Sequence, residues 1–135
     1  MLPKPSPNLT IALELLPEGV LVATVTGPVS LAGAVQRLQE TFAFAAQNST
    51  RKILINTLDA TGDLSVFERC RIATRAVHYY RSLNVGGHAI ALVGKPPLVN
   101  GFGLQVAQNM GALALLFSNT EPALRWLTSP QLNRV

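Results

Sequence analysis

Cysteine and charge are both scarce in this sequence. Its 135 residues include one cysteine, Cys70, and only 13% of them are charged. A single cysteine excludes an intramolecular disulfide, and no group of Cys and His residues has the spacing of a zinc site. Heptads, low-complexity tracts and internal repeats are absent too. We therefore expect one globular domain, without a metal or cofactor, in a reducing cytoplasm.

The sequence also lacks the patterns typical of a secretory signal or a membrane span. Residues 1–8, MLPKPSPN, have no apolar core and are rich in proline, which predicts a flexible tail before a single domain of residues 9–135. The longest uncharged stretch, Pro96–Thr120, is long enough to cross a bilayer. Polar side chains interrupt this stretch and Gly111 divides it, so we predict buried core and no membrane insertion.

A phosphate-binding loop is not indicated, although HAIALVGKPPLVNGFGLQV, residues 88–106, contains a Gly-Lys pair. A P-loop has Ser or Thr after its Gly-Lys, whereas two prolines, which have no N–H to offer a phosphate, follow Lys95. The segment instead predicts a turn from a strand into a helix that begins near Leu98. Gly101 and Gly103 predict close packing of that helix against the sheet.

Hydrophobic periodicity predicts five strands and about four helices. Two β-rich runs flank Pro17-Glu18-Gly19 and predict an antiparallel hairpin. The later strands alternate with helices, which predicts parallel pairing through right-handed crossovers. The predicted fold class is therefore α/β, with a mixed, mostly parallel five-stranded sheet. The predicted strands are 9–15, 20–26, 52–58, 88–94 and 112–117, and the predicted helices are 31–47, 65–83, 98–110 and 121–127.

From Leu9 to Leu127 the sequence resembles the STAS domain family, named for sulfate transporters and anti-sigma factor antagonists. The similar stretches are IALELLPEGVLVATVTGPVS in the opening hairpin, RKILINTLDAT in the central strand and YYRSLNVGGHAIALVG before the fourth strand. The chain is most similar to bacterial STAS-like single-domain proteins. The resemblance implies a STAS-like fold and a non-enzymatic regulatory domain that binds a protein partner.

The resemblance also implies a phosphorylatable serine, because STAS antagonists have Asp-Ser-Ser-Gly at the start of the second helix. This chain departs from that motif. If the chain is aligned with the family without gaps, backwards from LNVGG, residues 68–71 lie at the position of the motif. Shifting the alignment places Asp63 to Ser65 there instead. Ser65 is either a phosphate acceptor or a helix N-cap, and its position before an amphipathic helix favours the N-cap.

The second helix has two predicted faces. Its predicted buried stripe is Val66, Cys70, Ala73, Val77 and Tyr80. Arg71, Arg75 and His78 recur at spacings of four and three on the opposite side, which is therefore basic. This basic side is either an ordinary solvated face or a recognition surface for an acidic partner. Nucleic acid is not expected, because no aromatic side chains interleave with these arginines.

We expect the partner or ligand surface to combine this helix with the loops at the carboxyl ends of the parallel strands. Asp59 and Asp63 follow the central strand and are candidates for an acid–base pair, although loop carboxylates more often accept hydrogen bonds from nearby N–H groups. The candidate surface residues are Asp59, Asp63, Ser65, Arg69, Arg71, Arg75, His78 and Lys95.

Two further residues have predicted roles outside this surface. Phe44 lies across the first helix from Leu38 and Phe42, where a polar residue is expected, and it is a candidate contact in a homo-oligomer. His88 lies at the start of a strand with no partner at metal-ligand spacing, which predicts a structural histidine.

These patterns favour a non-enzymatic regulatory or protein-interaction module over an enzyme, because no nucleophile, base and orienting group have a convincing spacing. The alternative is a carrier or sensor of a small apolar or anionic ligand. In that alternative, the glycines of NGFG and the small residues of GALAL leave room for the ligand beneath the third helix.

Overall fold

The computed structural model of the chain describes residues 8–84, 88–130 and 132. The predicted flexible tail lies outside the described residues, apart from Asn8. The described strands are β1 (Thr10–Leu15), β2 (Val20–Pro28), β3 (Lys52–Thr61), β4 (Ala89–Val93) and β5 (Leu113–Phe117). The described helices are α1 (Leu31–Gln47), α2 (Val66–Ser82), α3 (Phe102–Asn109) and α4 (Thr120–Leu127).

The five strands form one sheet in which they lie in chain order, from β1 to β5. β1 pairs with β2 antiparallel, and β2, β3, β4 and β5 pair in parallel. This confirms the predicted α/β fold class with its antiparallel opening hairpin. Apolar side chains form rows across the sheet, because register places Leu21 beside Ile53, Ile53 beside Ile90, and Ile90 beside Ala114.

Three helices cover one face of the sheet. Phe42 of α1, Val77 of α2 and Leu104 of α3 pack into one hydrophobic cluster with the row that contains Ile53 and Ile90. The common side follows from topology: each parallel crossover advances one strand in the same direction, and such crossovers are nearly always right-handed. The larger of the two cores therefore lies between this face and α1, α2 and α3.

The opposite face of the sheet is covered by α4. Ala123 and Leu127 of this helix pack against Leu54, Ala91 and Val93, all of which are buried. Leu115, which pairs with Ala91 in the same row, stays exposed on the edge strand β5. The sheet is therefore covered unequally, with three helices on one side and one on the other.

The third helix begins later than the sequence predicted. Residues 95–99 form a turn in which the Val99 N–H bonds the Lys95 carbonyl at 3.1 Å. Gly101 then adopts a left-handed backbone conformation with φ +85°, which no helix residue has, and the side chain of Asn100 accepts from the Phe102 N–H. The predicted start near Leu98 is therefore wrong, because this turn separates the two prolines from the helix.

Gly103 packs against a helix and not against the sheet. A Cβ at this position would lie 3.3 Å from the Arg69 carbonyl oxygen of α2. The missing side chain lets the first turns of α2 and α3 approach each other closely. The prediction of close packing at Gly103 is therefore confirmed. The predicted neighbour, the sheet, is wrong, because the glycine packs against α2.

No helix among the described residues is long and apolar enough to cross a membrane. The uncharged stretch Pro96–Thr120 is divided into a loop, the short helix α3, the strand β5 and the residues around them.

Ser65 is the N-cap of α2, as its position predicted. Its hydroxyl accepts from the Glu68 N–H at 3.1 Å, and the Glu68 carboxylate accepts from the Ser65 N–H at 2.9 Å. These reciprocal bonds form a capping box, which satisfies two backbone donors that the helix leaves without partners. Ser30 caps α1 with one bond, from the Gly33 N–H.

We expect Ser65→Ala to lower the free energy of unfolding by about 1 kcal/mol, because it removes the hydroxyl that accepts from the Glu68 N–H. Ser65→Asp should remain within about 0.5 kcal/mol of the wild type, since aspartate is an equally good cap. Urea unfolding followed by circular dichroism measures both. Ser30→Ala, which removes the cap of α1, is the matched control. A larger loss of unfolding free energy for Ser30→Ala than for Ser65→Ala would contradict the prediction that Ser65 is the stronger cap.

Candidate functional site

A cavity of about 200 Å³ lies between the sheet and the three helices α1, α2 and α3. Its lining is mostly aliphatic and includes Leu38 of α1, Ala76 of α2 and Leu104 of α3. It extends from the buried residues Ile90 and Ala114 to Leu98 in the β4–α3 loop. The cavity therefore reaches the carboxyl edge of the parallel strands, where α/β sheets commonly bind ligands.

Small residues make this space. Gly101 lines it just before α3, and Gly103 and Ala107 line it within α3. Ala112 lines it just before β5, and Ala114 lines it within β5. All of these residues except Ala107 belong to the NGFG and GALAL stretches, in which the sequence predicted room beneath the third helix. The structure has a cavity at that place.

Arg69 is the buried charged residue at the carboxyl end of this cavity, with 7% of its surface exposed. Its Nη1 donates to the Leu64 carbonyl at 2.8 Å, and its Nη2 lies 2.7 Å from the Pro97 carbonyl and 2.9 Å from the Leu98 carbonyl. Nη2 also lies 3.0 Å from a carboxylate oxygen of Asp63. One guanidinium thus joins the β3–α2 loop to the β4–α3 loop.

The buried position of Arg69 corrects the predicted faces of α2. Arg69 lies on the inward face with Ala73, Val77 and Tyr80, whereas Val66, assigned to the buried stripe, is 62% exposed and Cys70 is half-buried. Arg69, Ala73 and Val77 recur at a spacing of four, which places them on one side of the helix. A charged residue was not expected on the buried side. Arg69 is tolerated inside because loop carbonyls and Asp63 satisfy its donors.

The outward side of α2 matches the prediction. Arg71, Arg75 and His78 are all exposed on it. Phe67 is also exposed, at 66%, and the Arg71 guanidinium carbon lies 5.8 Å from the centre of its ring. The basic side is therefore bordered by an exposed aromatic ring, which the sequence analysis did not single out.

The two predicted loop carboxylates have different surroundings in the structure. Asp63 accepts from the Leu64 N–H at 2.8 Å and pairs with Arg69, so it organises its own loop, as such carboxylates commonly do. Asp59 is an exposed residue of β3, opposite Thr26 of β2, because this strand continues past its predicted end to Thr61. Lys95 is exposed in the β4–α3 loop.

Phe44 is not the exposed residue that its position suggested. It is half-buried and packs against the main hydrophobic cluster. The helix presents it inward because its apolar face is wider than the narrow stripe from which Phe44 seemed to depart. A role in an oligomer stays a prediction, and it no longer has an exposed Phe44 to support it.

His88 is a buried aromatic residue of the core, in agreement with its predicted structural role. Its ring centre lies 5.6 Å from that of Phe42 and 4.9 Å from that of Tyr80. Neither ring nitrogen has a hydrogen-bond partner among the described residues. Burial lowers the pKa of His88 below its ordinary value, and the nearby charge of Arg51 lowers it further, so the ring is neutral at neutral pH.

Arg37 is the functional candidate that sequence reasoning missed. This α1 residue lines the cavity, and its Nε is fully buried without a partner in the described parts of the chain. Its Nη2 lies 3.0 Å from a carboxylate oxygen of Glu40. A spacing of three is typical of a surface ion pair on a helix, and it does not indicate that part of the side chain faces inward.

No protein-family model matches this chain, and no curated protein matches it in sequence. The resemblance to STAS domains therefore stays a prediction. Among the described residues there is also no group of three or more His, Cys, Asp and Glu side chains that could hold a metal ion.

We expect Arg69→Met to lower the free energy of unfolding by at least about 2 kcal/mol, because it leaves loop carbonyls and Asp63 without their charged donor. Asp63→Asn should cost less than about 1 kcal/mol, since this carboxylate is 69% exposed and Arg69 keeps its carbonyl acceptors. Arg75→Met on the exposed side of the same helix is the matched control. Equal losses for Arg69→Met and Arg75→Met in urea unfolding would show that Arg69 does not hold the two loops.

Proposed function

We propose that this protein is a non-enzymatic ligand-binding domain, a carrier or sensor that holds a small apolar molecule between its helices and its sheet. The observation that carries the proposal is the cavity of about 200 Å³ with a mostly aliphatic lining. An apolar cavity of about 150 Å³ is already large enough to stay dry and to bind benzene. The cavity described here is therefore suited to one small apolar ligand.

The chemistry around the cavity supports binding more than catalysis. Arg69 donates to carbonyls of two loops, and the Thr57 hydroxyl donates to the Val93 carbonyl at 2.8 Å. Asp63 is occupied by Arg69 and by a backbone N–H. These groups stabilise the walls of the site.

The half-buried Cys70 is the one cysteine of the chain, which supports the further proposal that the protein works in the reducing cytoplasm.

Octan-1-ol should bind wild-type protein and raise its melting temperature, because a ligand that binds the folded state stabilises it by mass action. A concentration ten times the dissociation constant corresponds to about 1.4 kcal/mol. Ala34→Leu, which places a larger side chain in the cavity lining on α1, should weaken this binding at least about tenfold. Isothermal titration calorimetry and thermal unfolding measure the two effects.

The matched control is Ala32→Leu, the same change at an exposed position on the same helix. It should leave octan-1-ol binding as it is in the wild type. The proposal is wrong if octan-1-ol neither binds nor stabilises the wild type, or if Ala34→Leu and Ala32→Leu bind it equally well.

The second candidate function is protein interaction through the outward side of α2, and a separate observation favours it. Val66 and Phe67 are 62% and 66% exposed at the start of this helix, beside the basic residues Arg71 and Arg75. Exposed aromatic rings next to arginine are typical of the centres of protein interfaces. We propose that this surface receives an acidic protein with an apolar contact point, in keeping with the STAS resemblance.

The double reversal Arg71→Glu/Arg75→Glu should slow association with a partner captured by the wild type, because charged groups of complementary sign steer encounter. The effect on association should shrink as salt increases. Surface plasmon resonance at two ionic strengths measures it. Arg51→Glu/Arg125→Glu is the matched control, since it reverses two exposed charges elsewhere in the chain. A partner that binds both double variants at the same rate would exclude this surface.

A further inference from the structure

His88 is an ionisable residue buried in the core without a polar contact. It is 4% exposed, and neither ring nitrogen has a hydrogen-bond partner among the described residues. A neutral imidazole has one N–H donor and one acceptor nitrogen, so this ring leaves two polar groups unsatisfied. Native structures leave few such groups, and each one requires a reason. A phenylalanine would suit these aromatic surroundings without that cost.

The ring of His88 packs against the wall of the cavity. Its neighbours Phe42 of α1 and Tyr80 of α2 both line the cavity. These two rings also contact each other, with centres 5.3 Å apart. The three rings therefore form one cluster that joins α1 and α2 to the start of β4. Because His88 immediately precedes β4, the cluster lies at the amino ends of the parallel strands, opposite the loops that Arg69 joins.

The charges around this cluster do not favour a positive charge on His88. The ionisable residues closest along the chain to these contacts are Arg37 and Glu40 of α1, Tyr79, Tyr80 and Arg81 of α2, and Arg51 and Lys52 beside Ala89. Residues 102–114 of α3 and β5 include none. Glu40 pairs with Arg37, and no carboxylate of the described residues pairs with His88. Burial of the ring, and then the charge of Arg51, lower the pKa of His88.

From this geometry we infer that His88 is an acid-sensitive switch of the cavity, which loses its ligand when the ring takes up a proton. The inference rests on the proposed ligand-binding function. An imidazolium has two N–H donors and a charge, and each of these needs water or an acceptor that the closed cluster lacks. The ring must then move towards solvent or admit water. Phe42 and Tyr80 lose a packed neighbour in either case, and the cavity wall between α1 and α2 opens.

The direction of the pH effect follows from the lowered pKa. In the unfolded chain the imidazole has its ordinary pKa of 6.5, so below this pH the unfolded state binds a proton that the folded state resists. The stability that depends on a neutral His88 is therefore complete above pH 6.5 and decreases as the pH falls below it. Acid thus weakens the fold at the cavity wall.

Urea unfolding at about pH 7.5 and about pH 5 tests the switch without a ligand. Over this range the folding equilibrium constant of the wild type should fall at least about tenfold more than that of His88→Phe, because unequal proton binding changes it by up to about tenfold per pH unit. The phenylalanine keeps the ring contacts and removes the titration. His78→Phe is the matched control, the same change at the chain's other histidine, which is exposed on α2. It should keep the wild-type pH dependence.

Octan-1-ol binding tests the release of a ligand. This compound has no ionisable group, so a change in its affinity with pH comes from the protein. The wild type should bind it at least about twofold more weakly at about pH 5 than at about pH 7.5, because proton uptake and ligand binding oppose each other. His88→Phe should bind it equally at both, as isothermal titration calorimetry measures.

A measurement on the wild type alone keeps the inference falsifiable if His88→Phe does not fold. Titration of the histidine ring signals by nuclear magnetic resonance should show His88 taking up its proton below pH 6.5, the ordinary value. Protonation of His88 at or above that pH in the folded protein would overturn the inference.

The outcomes separate the switch from the proposed function. If the wild type and His88→Phe lose stability equally in acid, or if octan-1-ol binds the wild type equally at both pH values, the switch is overturned and the cavity remains a binding site. If octan-1-ol binds at neither pH, the ligand-binding function and the release of a ligand are both wrong.

Discussion

The shared direction of the three parallel crossovers is the constraint on which this structure depends. Each connection advances one strand in the same direction, and such units almost always adopt one hand, so α1, α2 and α3 are expected on one face of the sheet, where they lie. That face therefore contains the larger core and the cavity. The other face is left to α4, which packs on Leu54, Ala91 and Val93.

The two candidate sites are the two sides of one helix. Inward residues of α2, such as Arg69 and Ala76, form part of the cavity wall. Outward residues, such as Phe67 and Arg71, form the exposed basic side. A change in the helix position would alter both at once, so the carrier and interaction proposals concern the same structural element.

The sequence was informative where the determining contacts are local. Ser65 and Glu68 lie three residues apart and form their capping box within one turn, so the N-cap was predictable. The alternation of apolar strands with amphipathic helices was equally local, and the fold class followed from it. The space beneath the third helix was predictable because the glycines and alanines that create it lie in two short stretches.

Prediction failed where a residue's environment is supplied by distant parts of the chain. Arg69 is buried because carbonyls of Pro97 and Leu98 receive its guanidinium, and no local pattern brings those residues to it. Arg37 was missed for the same reason: its pairing with Glu40 is visible in the sequence, but its inward contact with the cavity is a tertiary feature. Such residues bear charges that local hydrophobic patterns assign to solvent.

The chain order of the strands has a consequence for how the protein folds. Because β1, β2, β3, β4 and β5 lie in the order of synthesis, each strand pairs with strands that are adjacent to it in the chain. Every pairing closes a loop no longer than one helix and its turns, which keeps the entropy of loop closure small for a parallel sheet. Contacts between nearby parts of the chain favour fast folding. During translation, the neighbour with which each of β2 to β5 pairs has already been synthesised.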